Sequence, residues 1–174
     1  LADRSVVLRL PVVYGPKDLA LLPFFQLAKW RLAPLLWGGR NIISIIYAED
    51  AANAAVSLAT TMAPVGGKSY TADDSYHYSW RELYRFVQLA VGRRAFLIPM
   101  PLWSYYLAAA VSEGFGWLVG KPVPLSRDKV TEMRQSHWVS SNQTIETDLG
   151  WQPKVTFKEG ALLTAEWYRQ QNML

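Results

Sequence analysis

Apolar residues come in short blocks separated by glycine and proline, and the blocks alternate between extended and helical periodicity. Residues 5–14 predict a buried strand running into a turn. Val6, Val7 and Leu8 favour extended backbone, and Pro11 limits further pairing. Gly15-Pro16 then breaks the chain. Residues 18–30 predict a helix with Pro23 in its first turn or at a kink, closed by Pro34 and Gly38-Gly39. Ile42 to Tyr47 is β-branched and almost uninterrupted, which predicts a strand covered on both faces. A helix over 48–62 follows, ended by Pro64 and Gly66-Gly67, and then a strand over 68–72. This alternation predicts an α/β fold.

Two helix starts are marked by chemistry. Ser79-Trp80-Arg81-Glu82 and Thr156-Phe157-Lys158-Glu159 each read as a capping box, in which a hydroxyl accepts from the first-turn amides and a carboxylate reaches back. After the first, Leu83, Phe86, Val87 and Ala90 share one helical face, and Gly92 terminates it. After the second, Ala161, Leu162, Ala165, Trp167 and Tyr168 lie in a helix reaching about Gln171. Between them, residues 95–112 carry no formal charge. Pro99 and Pro101 interrupt the start of this stretch. A helix from near Pro101 is expected, with Leu102, Tyr105, Tyr106 and Ala109 as its packing surface. Its later turns are weakened by Gly114, Gly116 and Gly120. About ten residues of helix precede Glu113, short of the ~20 needed to cross hydrocarbon.

The chain has 174 residues, 51% of them hydrophobic and 18% charged, which suits a globular domain or a large part of one. There are no cysteines, so disulfides, thiolate nucleophiles and Cys-based metal sites are excluded. His77 and His137 are too few and too far apart in sequence to argue for a metal. A formal charge of +4 arises from scattered basic residues, with no basic helix or finger, and no nucleic-acid partner is expected. The abrupt start at Leu1-Ala2-Asp3-Arg4 reads as a cut from a longer chain, without a signal peptide.

Four stretches, in order, carry a resemblance. They are Leu8-Arg9-Leu10-Pro11-Val12-Val13-Tyr14-Gly15-Pro16-Lys17-Asp18, Ile45-Ile46-Tyr47-Ala48-Glu49-Asp50-Ala51-Ala52-Asn53-Ala54, Ser79-Trp80-Arg81-Glu82-Leu83, and Asp148-Leu149-Gly150-Trp151-Gln152-Pro153-Lys154-Val155 with the Trp167-Tyr168-Arg169 that follows. The chain resembles the extended short-chain dehydrogenases/reductases of the NAD-dependent epimerase/dehydratase family. It is closest to the 3β-hydroxysteroid dehydrogenase-like branch, which the run at 124–130 also resembles. Leu10 stands where the family often has proline.

The resemblance implies the C-terminal portion of an extended Rossmann-fold oxidoreductase with a mostly helical substrate-binding lobe. Residues 1–72 would be terminal Rossmann-core elements with substrate-lobe insertions, and 73–174 mainly the substrate-binding lobe and the C-terminal helix. NAD or NADP is the implied cofactor of the intact parent. The family's glycine-rich turn and its tyrosine–lysine pair do not occur in these residues. No catalytic residue is therefore assigned, and strong cofactor binding to the fragment alone is not expected.

Pro11, Val12 and Val13 are the implied cofactor contacts. Tyr14, Arg40, Phe96, Leu102 and Tyr105 are the substrate-side candidates, with Tyr14 alternatively filling a seam and Arg40 alternatively a solvated arginine. Asp50 is expected to sit favourably by exposed helix amides. The expected function is hydride exchange at a hydroxyl/ketone of an apolar alicyclic or steroid-like substrate. Nucleotide-sugar epimerisation or dehydration, and a noncatalytic sensor or interaction module, are the alternatives. Expected partners are the missing N-terminal Rossmann portion, a small-molecule substrate and a second copy of the chain. A cytoplasmic location is expected, with residues 96–119 open to three uses: substrate cap, peripheral membrane contact, or core and subunit packing.

Overall fold

The computed structural model describes residues 5–36, 39–120, 126–133 and 137–174. The opening Leu1-Ala2-Asp3-Arg4, Gly38, and Pro124 and Leu125 lie outside the described residues.

The predicted first strand is two strands. β1 (Val7–Arg9) pairs in parallel with β5 (Ser69–Thr71), while β2 (Val12–Tyr14) pairs in parallel with β4 (Ile42–Tyr47). The chain changes sheets at Leu10-Pro11, where proline offers no amide to continue the first ladder. β4 also pairs with β6 (His77–Ser79) in antiparallel fashion and with the two-residue β8 (His137–Trp138) in parallel.

β4 divides the interior, as its almost uninterrupted β-branched run predicted. Ile43, Ile45 and Tyr47 face one cluster with Phe25, Tyr78, Leu83, Val87, Phe157 and Tyr168. Ile46 faces the other, with Ala54, Leu58, Tyr70, Ile145 and Trp151. The alternation is the two-residue period of a strand buried on both sides.

Helices form largely where expected. α1 (Leu22–Lys29) has proline in its first turn, and the Asp18 carboxylate accepts from the Ala20 and Leu21 amides just ahead of it, at 2.7 and 3.3 Å. α2 is Ala48–Thr60. α3 (Trp80–Val91) and α7 (Phe157–Gln170) both start with complete capping boxes, and Gly92 closes α3 in the left-handed region. α5 (Arg127–Met133) and α6 (Gln143–Leu149) are short helices not anticipated.

Two expectations are corrected. Pro34 and Pro99 do not end structure. They lie inside β3 (Leu32–Leu36) and β7 (Phe96–Met100), a separate two-stranded parallel sheet in register Leu32↔Phe96 to Leu36↔Met100. A two-stranded sheet consists of edges, where a missing amide is tolerated. The later turns of the helix after Pro101, expected to be weakened by glycine, are formed. α4 runs Leu102–Val119, past Glu113, Gly114 and Gly116, to a left-handed Gly120. The carboxylate of Glu113 accepts from the Arg127 amide and its Nε, both at 2.8 Å, so this charge fixes α5 onto the helix rather than ending it.

Candidate functional site

The candidate site gathers around the end of β2. Side chains alternate along a strand, and here the alternation assigns different roles to neighbouring residues. Val12 points inward and lines a small, wholly apolar cavity of about 30 Å³ with Phe24, Phe25, Ile43, Trp80 and Tyr84 among its walls. Val13 points outward and is 40% exposed. Pro11 is half-buried at the change of sheet. Thus the Val13 side chain is reachable from outside the strand, whereas that of Val12 is turned into the core. β1 hands over to β2 here, and each is parallel to its own partner, β5 and β4 respectively.

Tyr14 is inside, at 1% exposure. Its ring packs edge-on against Tyr47 and Phe157 at 5.7 and 4.9 Å, and its hydroxyl donates to the Thr156 carbonyl at 3.4 Å. Burial, with Asp74 nearby, pushes its phenol far above the ordinary range, so it stays protonated. This tyrosine fills the seam between β2 and α7.

The aromatic wall continues from the cavity. Phe24 stacks on Trp80 at 5.3 Å and leans on Tyr84 at 5.5 Å. Tyr84 in turn lies near Tyr105 of α4, and both phenols are raised first by burial, that of Tyr105 to about 12. Val12 lines this aromatic group directly, Tyr105 lies near its Tyr84 member, and Leu102 is half-buried one turn earlier on α4. Arg40 is exposed beside the start of α3, where the Asn41 carbonyl accepts from the Trp80 amide at 3.3 Å. Phe96 is not brought to this group. It is 72% exposed and level with Leu32, at the end of β3 remote from Arg40.

Asp50 lies in the first turn of α2, as expected, and has a second role there. It is 2% exposed, and its carboxylate accepts from the amides of Lys154 and Val155, at 3.0 and 2.9 Å. It holds the loop that leads into α7. A second buried carboxylate, Asp74, was not singled out by sequence. It accepts from the Tyr78 hydroxyl at 2.7 Å and from the Tyr76 amide at 3.1 Å. Tyr78 in turn accepts from the Phe157 amide at 3.3 Å. Nothing in the local sequence distinguishes Asp74 from a turn aspartate; its distant partners are the Ile45 carbonyl, which accepts from its amide at 3.0 Å, and, through Tyr78, the Phe157 amide.

The cavity walls contain no carboxylate, imidazole, amine or hydroxymethyl group, and burial keeps their one phenol, that of Tyr84, protonated. Among the described residues no group of three or more His, Cys, Asp or Glu is placed to hold a metal. What the arrangement can do is shape an apolar space and present the β2 edge beside it.

The chain matches no family profile. It is 29% identical over 176 residues to ceramide reductase of Caulobacter vibrioides, covering 99% of this chain and 54% of that protein. It is 28% identical over 175 residues to UDP-glucose 4-epimerase of Vibrio cholerae, covering 96% and 47%. Among solved structures, the dTDP-glucose 4,6-dehydratase of Bacillus anthracis in complex with NAD superposes with a TM-score of 0.69 at 16% identity, over 96% of this chain and 45% of that one. The fold is the Rossmann-like fold of extended short-chain dehydrogenases/reductases. The chain spans about half the length of these relatives. Among the described residues, no helix is long and apolar enough to cross a membrane.

Proposed function

We propose that this chain is the substrate-side part of an NAD(P)-dependent oxidoreductase that exchanges hydride with a hydroxyl/ketone carbon of an apolar, steroid- or lipid-like molecule. The observation that carries this reading is the split at the end of β2. Val12 joins an exclusively apolar wall while Val13, the next residue, faces outward. Nicotinamide, when bound, supplies the hydride chemistry. Pro11 and Val13 would give it a flat edge, and the aromatic group reached by Tyr105 would exclude water from an apolar substrate. A cavity of about 30 Å³ is far below the ~300 Å³ and more of a typical ligand pocket. The nucleotide-binding portion of the same enzyme would therefore supply the opposite wall and the proton-handling pair. The similarity to a ceramide reductase supports a carbonyl on a lipid-like substrate.

Nucleotide-sugar epimerisation is the second reading. It is favoured by the similarity to UDP-glucose 4-epimerase and by an exposed Arg40 beside the aromatic wall, where a guanidinium could meet a diphosphate.

The full-length protein should oxidise NADH or NADPH in the presence of apolar cyclic or long-chain ketones held in detergent. Val13→Trp should raise KM for the cofactor roughly tenfold while leaving thermal stability unchanged. Turnover of UDP-glucose without net cofactor consumption, and none with apolar ketones, would establish the second reading and overturn the first.

A further inference from the structure

α4 is apolar on both sides. Its inner side packs through Tyr105, Tyr106 and the fully buried Ala109. Its outer side shows Trp103, Leu107, Val111 and Trp117 at 67, 58, 66 and 84% exposure. The helix carries a single charge, Glu113, and that carboxylate is taken up by Arg127. A helix apolar all round is ordinarily covered on every side, and this one has a large indole near each end of an uncovered face.

A second exposed apolar group lies at the start of the β3–β7 sheet. Trp30 and Phe96 are 67 and 72% exposed. The Phe96 amide donates to the Arg31 carbonyl at 2.9 Å, and an Arg93 guanidinium nitrogen donates to the Lys29 carbonyl at 3.1 Å, which draws the two segments together. Between them these segments hold Lys29, Arg31, Arg93 and Arg94, with no carboxylate among residues 29–36 or 93–100. β7 leads from this cationic edge directly into α4 through Pro101, a distance of about 17 Å along its five residues.

We propose that the outer face of α4 and the cationic aromatic edge at Trp30 and Phe96 dock on the surface of a bilayer containing anionic phospholipid. Indoles at a helix's ends with aliphatic residues between them suit the boundary of headgroups and acyl chains, and nearby cations meet the lipid charge. Surface docking is the mode available, because no described helix is long and apolar enough to cross. A second copy of the chain fits less well. An 18-residue helix is about 27 Å long, and a strip of that length offers a few hundred Å², below the ~800 Å² per partner of a standard interface. The inference is independent of the catalytic reading.

The test is co-sedimentation of the full chain with phosphatidylcholine vesicles, with and without about one quarter phosphatidylglycerol. The wild type should bind the anionic vesicles and be released as ionic strength rises well above about 0.1 M. W103S/W117S should weaken binding roughly tenfold or more. R31E/R94E should remove the preference for anionic lipid, with far-ultraviolet circular dichroism of both variants unchanged. Absence of vesicle binding would overturn the proposal. So would equal binding to both vesicle types, or binding that neither variant alters. A dimer in light scattering that W103S/W117S dissociates, without vesicle binding, would assign the face to a second copy instead.

Discussion

Tyr14 and Gly160 are in direct contact across the seam between β2 and α7. A methyl group on Gly160 would collide with the Tyr14 hydroxyl and lie 2.8 Å from its Cε2 and Cζ. Glycine inside a helix ordinarily costs about 1 kcal/mol relative to alanine, so Gly160→Ala would stabilise α7 in isolation. Here it should destabilise the protein by about 1–3 kcal/mol, because both elements are held by packing and neither can withdraw freely. Tyr14→Phe removes the nearest clashing atom but leaves the ring. The Gly160→Ala penalty should be smaller in that background. A double-mutant cycle by urea denaturation gives the coupling; coupling near zero would mean that α7 shifts as a body.

The residues that legibly encode this fold are those whose signal is local. The Ile42–Tyr47 strand, the two capping boxes and the Gly92 stop could be read because each depends on neighbours within a turn or a strand period. The β3–β7 pair could not. Its strands are brought together by tertiary pairing of segments far apart in the chain, and each contains a proline that reads locally as a breaker. The length of α4 was hidden for a similar reason, since the partner that accommodates Glu113 lies on α5. Of the candidate site, Pro11, Val12 and Val13 were put forward through resemblance alone. The alternation that turns Val12 inward and Val13 outward was available from strand periodicity once β2 was separated from β1.

The first capping box provides a stability test with a pH signature. Ser79 accepts from the Glu82 amide at 3.3 Å, and Glu82 accepts from the Ser79 amide at 2.8 Å. Ser79→Ala should cost about 1 kcal/mol at neutral pH. Hydrogen bonds from Ser79 hold the Glu82 carboxyl below its ordinary value of 4.5. A lowered acid contributes stability above its unfolded pKa and loses it as pH falls through the folded one. The Ser79→Ala penalty should therefore be smaller at about pH 3 than at about pH 7. Equal penalties in urea titrations at the two pH values would show that the carboxylate half of the box adds nothing.

Asp50 should behave as a loop anchor. Asp50→Ala leaves the Lys154 and Val155 amides without their partner, and losing hydrogen bonds to a buried carboxylate should cost about 1–3 kcal/mol. The loss should be concentrated in the segment before α7. Hydrogen exchange should speed up at residues 154–157 ahead of global unfolding. Protection there that matches wild type would remove Asp50 from this role.

Asp74 predicts an unusual slope of stability with pH. Burial raises its carboxyl from 3.8 to about 6, despite hydrogen bonds from Tyr78 and Tyr76 that favour the charged form, and neighbouring Asp73 raises it further. Between these two values the native state binds more protons at this site than the unfolded chain does. Stability from this group is thus fully present below about pH 4 and is lost as pH rises through about 6, the reverse of a salt-bridged carboxylate. Asp74→Asn keeps an acceptor for the Tyr78 hydroxyl but cannot ionise. Whatever its constant offset, the variant should gain on wild type by about 1–3 kcal/mol between pH 4 and pH 7. Urea midpoints measured across that range decide it. Parallel curves for the two proteins would mean that the Asp74–Tyr78–Phe157 chain of hydrogen bonds offsets the cost of burying the charge.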